Sequence, residues 1–129
     1  MPTKSIIKPA QGAPAIGPYN HGVRIGDLLF CAGQIPLDPA HPSGPLPEGI
    51  QAQTQRVLEN VKIILEDQKL GFANVVKSTV FMTNLADFAA MNEVYAKYFT
   101  ADHPARSTVQ VAALPRGAQV EIEVIAHYP

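Results

Sequence analysis

Arg106, Glu121 and Glu123 are the side chains from which chemistry can most readily be built. A guanidinium is a planar fork that grips a carboxylate or phosphate through two parallel hydrogen bonds. A glutamate in a cleft shielded from water can accept a proton or orient an attacking water. Each has a plainer alternative. Arg106 can form a structural salt bridge to Glu121 or Glu123 across a subunit interface, and either glutamate can lie on a solvated strand face. Nothing fixes the separation of the two glutamates across a sugar, so they do not read as a glycosidase pair.

The elements that must position these groups read as alternating strands. Ser107, Val109, Val111 and Ala113 alternate with Arg106, Thr108, Gln110 and Ala112. Beyond Pro115-Arg116-Gly117, Val120, Ile122, Val124 and Ala126 alternate with Gln119, Glu121, Glu123, Ile125 and His127. Period-two alternation around a Pro-x-Gly break predicts a hairpin over 103–126. Its apolar face belongs on a core, and its other face carries Arg106, Thr108, Gln110, Glu121 and Glu123. Pairing Leu114 with Gln119 sets Glu121 opposite Ala112, on the same face as Arg106. That is about six residues along the strand, or roughly 20 Å at ~3.3 Å per residue. The arginine and the glutamates then cannot meet within one hairpin, and a shared site needs a second subunit.

The remaining candidates are weaker. Cys31 lies in an apolar run with no histidine near it and reads as a small core hydrophobe. His21, His41, His103 and His127 show no metal-ligand spacing, and no metal site is expected. GxSxG, P-loop and GxGxxG patterns are absent, against the usual hydrolase, nucleotide and dinucleotide readings. Gly33, after Cys31-Ala32, can admit a ligand oxygen to its backbone N–H or mark a bulge. Tyr19, beside Gly17-Pro18, can wall a pocket or cap the core. Asn92 stands one position past Met91 of a helical stripe and can face a neighbour.

A chain of 129 residues, 47% hydrophobic and 16% charged, suits one globular domain spanning 1–129. A net charge of −1 gives no electrostatic case for nucleic acid or an anionic membrane. One cysteine excludes an internal disulfide and fits a reducing compartment. The opening MPTKSIIKPAQGAP has no apolar run long enough for a signal peptide or a membrane span, so a cytoplasmic protein is expected.

Along the chain, 5–8 predicts a short edge strand, and 19–25 with 27–34 a hairpin turning at Gly26-Asp27. The unbroken apolarity of Leu28 to Ala32 predicts a buried strand. The Pro/Gly-rich stretch 36–49 reads as a surface connector. Residues 50–70 predict a helix with Val57, Leu58, Val61, Ile64 and Leu65 on one stripe, Gln53, Arg56, Asn60 and Lys62 off it, and Gly71 as cap. A strand follows within 73–83. A second helix begins near Leu85, capped by Asn84 or Asp87, with Phe88, Met91, Tyr95, Tyr98 and Phe99 as its stripe. This order predicts a mixed sheet with both helices on one face. Its other face, half apolar and half charged, suits a subunit interface.

Three segments carry a resemblance: AIGPYNHGVRIGDLLFCAGQIP, VVKSTVFMTNLADFAAMNEVYAKYF and PARSTVQVAALPRGAQVEIEVIA. In combination they resemble the Rid family (reactive intermediate deaminases, YjgF-like proteins) over nearly the whole chain. The resemblance implies an α+β, chorismate-mutase-like fold: a six-stranded sheet with two helices on one side, assembled as a homotrimer around a central β-barrel. It also implies cofactor-free hydrolysis of 2-imino and enamine acids, such as 2-aminoacrylate and 2-iminobutanoate, to 2-oxo acids and ammonia. The other reading is a non-enzymatic trimer that binds small carboxylates or acts as an interaction or chaperone-like protein. By similarity, Arg106 matches the arginine that grips the substrate carboxylate, with help from the backbone at Gly33. Glu121 matches the acid that positions water, and Tyr19 and Asn92 match pocket-lining residues. Ala32 stands where many members have serine, so a hydroxyl contact is lost there. Thr108 stands where many have cysteine, which changes little if the backbone carbonyl is what contributes.

Overall fold

The computed structural model describes residues 3–129. Six strands form one sheet: β1 (Ser5–Ile7), β2 (Gly22–Ile25), β3 (Leu28–Gln34), β4 (Val75–Met82), β5 (Ala105–Gln110) and β6 (Val120–His127). Two helices, α1 (Ile50–Asp67) and α2 (Phe88–Tyr98), accompany them. The strand order is β1-β2-β3-β6-β4-β5. β4 and β5 run parallel and every other neighbouring pair is antiparallel, so the sheet is mixed.

The hairpin over 103–126 does not form. β4 lies between β5 and β6 and pairs with both. The Pro-x-Gly break is not a two-residue turn but a 3₁₀ turn, Pro115–Gly117, in which Arg116 and Gly117 take φ of 60° and 69°. The link bridges the end of β4, where Val111 N–H donates to the Met82 carbonyl and Thr83 N–H to the Gln119 carbonyl. Arg116 anchors it by donating to the carbonyls of Pro42 and Gly44, both at 2.9 Å.

This topology also inverts the expected faces of β5. The parallel register sets Arg106 beside Ser78 and Thr108 beside Val80, both fully buried beneath the helices. Val109, expected in the core, shares a row with Phe81 and Glu121 and is exposed. Arg106 and Glu121 therefore stand on opposite faces of the sheet rather than on one.

The core lies between the sheet and the helices. Val57, Leu58, Val61, Ile64 and Leu65 of α1 are all fully buried, as their spacing predicts, against Val120, Ile122 and Ala126 of β6 and Leu29 of β3. Full burial of each such side chain contributes about 1.5–3 kcal/mol. Met91, Tyr95 and Phe99 bring α2 onto the same cluster. Leu28 to Ala32 is not buried throughout: Leu29 and Cys31 are, while Leu28 and Phe30 face outward on the uncovered side. The unbroken run therefore divides between the two faces, its alternation hidden because both sides are apolar.

Two helix positions expected off the stripe are buried with it. Asn60 donates to the carbonyls of Ile35 and Leu37, and Gln53 to that of Pro47. The Pro/Gly-rich stretch is thus pinned at several points rather than a loose connector. A small second cluster of Ala13, Ile35, Leu37 and Ala118 packs beneath it. Lys69, with φ of 58°, ends the turn after α1 in place of the expected Gly71. Gly71 instead opens the short 3₁₀ turn before β4, and its N–H donates to Asn74 Oδ1. Asn84 caps the 3₁₀ turn that leads into α2 by accepting from Ala86 N–H. Among the described residues, no helix is long and apolar enough to cross a membrane.

Candidate active site: two half-pockets on opposite faces

Arg106 leaves edge strand β5 toward the helix side. Its Nη1 donates to Asn92 Oδ1 at 2.8 Å. Its guanidinium lies over the Tyr95 ring, 4.7 Å from the centroid, with Phe88 at 5.4 Å. The cavity beside it, about 340 Å³, is lined by Asn92, Tyr95, Ala96, His103, Pro104 and Arg106. No carboxylate of the same chain lines it, so within one chain Arg106 has no acidic partner there. Arg106 lines that cavity with one guanidinium nitrogen engaged by Asn92, and a guanidinium fork suits an anion chemically.

Glu121 leaves β6 on the uncovered face. Opposite it, β3 bulges: Cys31 pairs with Val124 and Gln34 with Ile122, so Ala32 and Gly33 together oppose Glu123. The bulge is held by Ala32 N–H donating to the His21 carbonyl and by Gln34 Nε2 donating to the Ala32 carbonyl. Gly33 lets the carboxylate approach closely: a Cβ there would lie 2.0 Å from Glu121 Oε2 where it now stands. Tyr19 closes the wall from the loop before β2, its hydroxyl accepting from Ile16 N–H, while His21 binds the Ala13 carbonyl through Nε2. The resulting cavity, about 520 Å³, is lined by Ile16, Tyr19, Ala32, Gly33, Ile35, Pro115 and Glu121. Burial, and then the charge of Glu123, raises the Glu121 carboxyl above its ordinary range. A carboxylate so disposed is a better proton acceptor than one in water.

The expected residues thus divide. Arg106 and Asn92 share one cavity, while Tyr19, Ala32, Gly33 and Glu121 share the other, and no lining residue belongs to both. Thr108 lines neither. It lies two residues beyond Arg106, its hydroxyl buried without a hydrogen-bond partner. The separation of arginine and glutamate is real, but it comes from the two faces of the sheet rather than from length along a hairpin. Tyr95, Phe88 and His103 were not expected at a site. Asn92, Tyr95 and Ala96 follow i, i+3, i+4 spacing and so face one neighbour, the signal from which Tyr95 was legible. Cys31 is buried and its thiol is pushed up to about 12 by that burial, in keeping with a core role. Among the described residues, no three His, Cys, Asp or Glu side chains gather as a metal site would require.

Sheet, helices and divided pockets define a small α+β protein whose polar site is split across one sheet. The family model described as Endoribonuclease L-PSP matches residues 10–128. The 2-iminobutanoate/2-iminopropanoate deaminase of Capra hircus is 44% identical over 124 residues, covering 95% of this chain and 89% of the relative. The crystal structure of Escherichia coli TdcF with bound serine superposes with a TM-score of 0.90 at 44% identity, covering 97% of this chain and 99% of that one. RidA from the Antarctic bacterium Psychrobacter sp. PAMC 21119 gives a TM-score of 0.91 at 40% identity, covering 96% and 99%. The chain belongs to this family, the reactive intermediate deaminases that its motifs resemble.

Proposed function

We propose that this protein is a cofactor-free hydrolytic deaminase of reactive 2-imino acids, acting in a site that two copies of the chain complete. The observation that carries the reading is the complementarity of the half-pockets. One holds a guanidinium without a carboxylate, and the other holds a carboxylate of raised pKa without a cationic side chain. A 2-imino acid offers a carboxylate to the first and an electrophilic C=N carbon to the second.

In this reading Arg106, held by Asn92, forks the carboxylate, and the backbone at Gly33 assists from the neighbouring protomer. Glu121 takes a proton from water as the oxygen adds to the imine carbon, and returns it to nitrogen. The carbinolamine then expels ammonia and leaves the 2-oxo acid. Water is the only co-reactant. Fixing the carboxylate and the water relative to each other can supply several kcal/mol of the barrier reduction. Tyr19 and Ala32 wall the pocket, and Ala32 offers it no hydroxyl. Thr108 contributes through its backbone.

The proposed assembly is a closed homotrimer of chorismate-mutase type, its sheets turned inward as a barrel. In support, the uncovered face presents Ile6, Ile25, Leu28, Phe30 and Val109, all exposed in a single chain. An apolar face of this kind belongs in an interface. The test is ammonia release from 2-iminobutanoate generated in situ, with semicarbazide as competing trap. Wild type accelerates release and Arg106→Ala nearly abolishes it. An Arg106→Ala variant with wild-type rates would overturn the assignment, and unchanged imine lifetimes with saturable 2-oxobutanoate binding would make the protein a carboxylate binder instead.

A further inference from the structure

We propose that Tyr95, itself pinned by Ser78, is a positioning residue that sets the height and tilt of the Arg106 guanidinium, and with them the affinity for the bound carboxylate. The proposal rests on the functional reading above and deepens it. The hydrogen bond to Asn92 fixes one corner of a planar fork but leaves it free to pivot there. The pivot is closed by a ring. Arg106 Cζ lies 4.7 Å from the Tyr95 centroid, while Phe99 stacks on Tyr95 at 4.3 Å and 22°. With Phe99 on one face of the ring, the other is left for the cation.

The Tyr95 hydroxyl lies 2.7 Å from Ser78 Oγ, and Ser78 is fully buried. Ser78 is also the residue that pairs with Arg106 in the parallel register of β4 and β5. The contacts therefore close a circuit. The Arg106 backbone is registered against Ser78, the Ser78 hydroxyl holds Tyr95, and the Tyr95 ring supports the Arg106 side chain. Strand and helix are tied at the point where the arginine leaves the sheet.

The core has no need of this polar pair. Val80 and Met82, the other helix-facing residues of β4 nearby, are apolar and fully buried. A buried hydroxyl pair adds only modest net stability, and replacing both partners by apolar groups can be nearly neutral. What the hydroxyls supply is direction: the ring cannot slide along the helix beneath the cation. A flat guanidinium has a plane for the ring to orient, whereas a compact ammonium on a flexible stem has none.

The test uses the assembled full-length protein and 2-oxobutanoate as an unreactive carboxylate probe. Affinity is measured by calorimetric titration for wild type and Tyr95→Leu, each with Arg106 and with Arg106→Lys. Tyr95→Leu weakens binding about tenfold when Arg106 is present. It changes binding by less than about twofold beside Arg106→Lys. Thermal midpoints fall equally in both backgrounds, as a structural role alone would have affinity do. In case Tyr95→Leu does not fold, the paired change Ser78→Ala with Tyr95→Phe is followed by NMR. Its Arg106 Nε–H resonance moves from the wild-type position, where the ring current of Tyr95 holds it. An unmoved resonance, wild-type affinity in Tyr95→Leu, or an equal fold loss beside Arg106→Lys would each overturn the proposal. Wild type that binds the probe without hydrolysing imines would remove the functional reading alone. Wild type that does not bind it would remove both.

Discussion

Gly33→Ala places a methyl group where the Glu121 carboxylate stands. A Cβ at that position lies 2.0 Å from Oε2, 2.9 Å from Cδ and 3.2 Å from Cγ. Unstrained contact between such atoms needs about 3.5 Å, so the carboxylate must retreat by roughly 1.5 Å. Gly33 does not use the left-handed φ available to glycine, and alanine therefore fits its backbone. The group that must yield is the end of a flexible side chain, so the loss of stability is small, about 1 kcal/mol. The loss of function is not small. Displacing a catalytic group by an ångström lowers rates by about a hundredfold. The assay is ammonia release from 2-iminobutanoate across pH, beside a thermal melt. A fall of about a hundredfold in kcat with a drop of only about 3–5 °C in Tm is expected. The carboxylate also moves toward solvent, so its raised pKa relaxes and the acid limb of any residual activity shifts to lower pH. Activity within twofold of wild type would show that Glu121 does not act from where β6 places it.

Other consequences follow from the same geometry. Glu121 must be ionised to accept a proton, so kcat/KM falls as pH drops through a value above the ordinary glutamate range. Glu121→Gln removes that limb along with most of the activity, and an unchanged limb would assign it elsewhere. Because folding disfavours the charged form, wild type loses stability as pH rises from the unfolded carboxylate's value through the higher folded one. Glu121→Gln is therefore the more stable protein at neutral pH, and the difference closes in acid, as paired melts at both pH values would show. The Cys31 thiol, pushed up to about 12 by burial, stays unlabelled by an aromatic disulfide reagent at mildly alkaline pH until the chain unfolds. Rapid labelling of the native protein would contradict its place in the core.

Much of the fold is legible because burial imposes periodicity. The α1 stripe, the Gly26-Asp27 turn and the alternation of β6 are each read from residues that have one way to bury their apolar atoms. The partner of β5 is not legible in the same way. Alternation says that a strand has two faces, but not which neighbour supplies its hydrogen bonds. A Pro-x-Gly break near the strand end suggested a hairpin that the Arg116 anchor and a parallel register with β4 preclude. A hairpin would put Arg106 on the face of Glu121, whereas the parallel register puts it on the helix side. On β6, by contrast, the fully apolar set is so clearly the core side that Glu121 is placed correctly. Gly33 is legible as a possible bulge, but its meeting with Glu121 depends on a cross-strand register that the residues alone do not state. Tyr95 was hidden by its own success as a core residue, since a stripe position can bury one ring face and present the other to a cation.

The central claim is that each site takes its cation from one copy and its base from the next, and subunit mixing tests it most directly. Arg106→Ala and Glu121→Gln proteins are each nearly inactive alone. Unfolded together in equal amounts and refolded, they distribute at random around a closed ring. About one quarter of the clefts then receive both native residues, because the two sides are drawn independently. The account predicts recovery of about a quarter of wild-type ammonia release. Activity no higher than that of the two parents would contradict it.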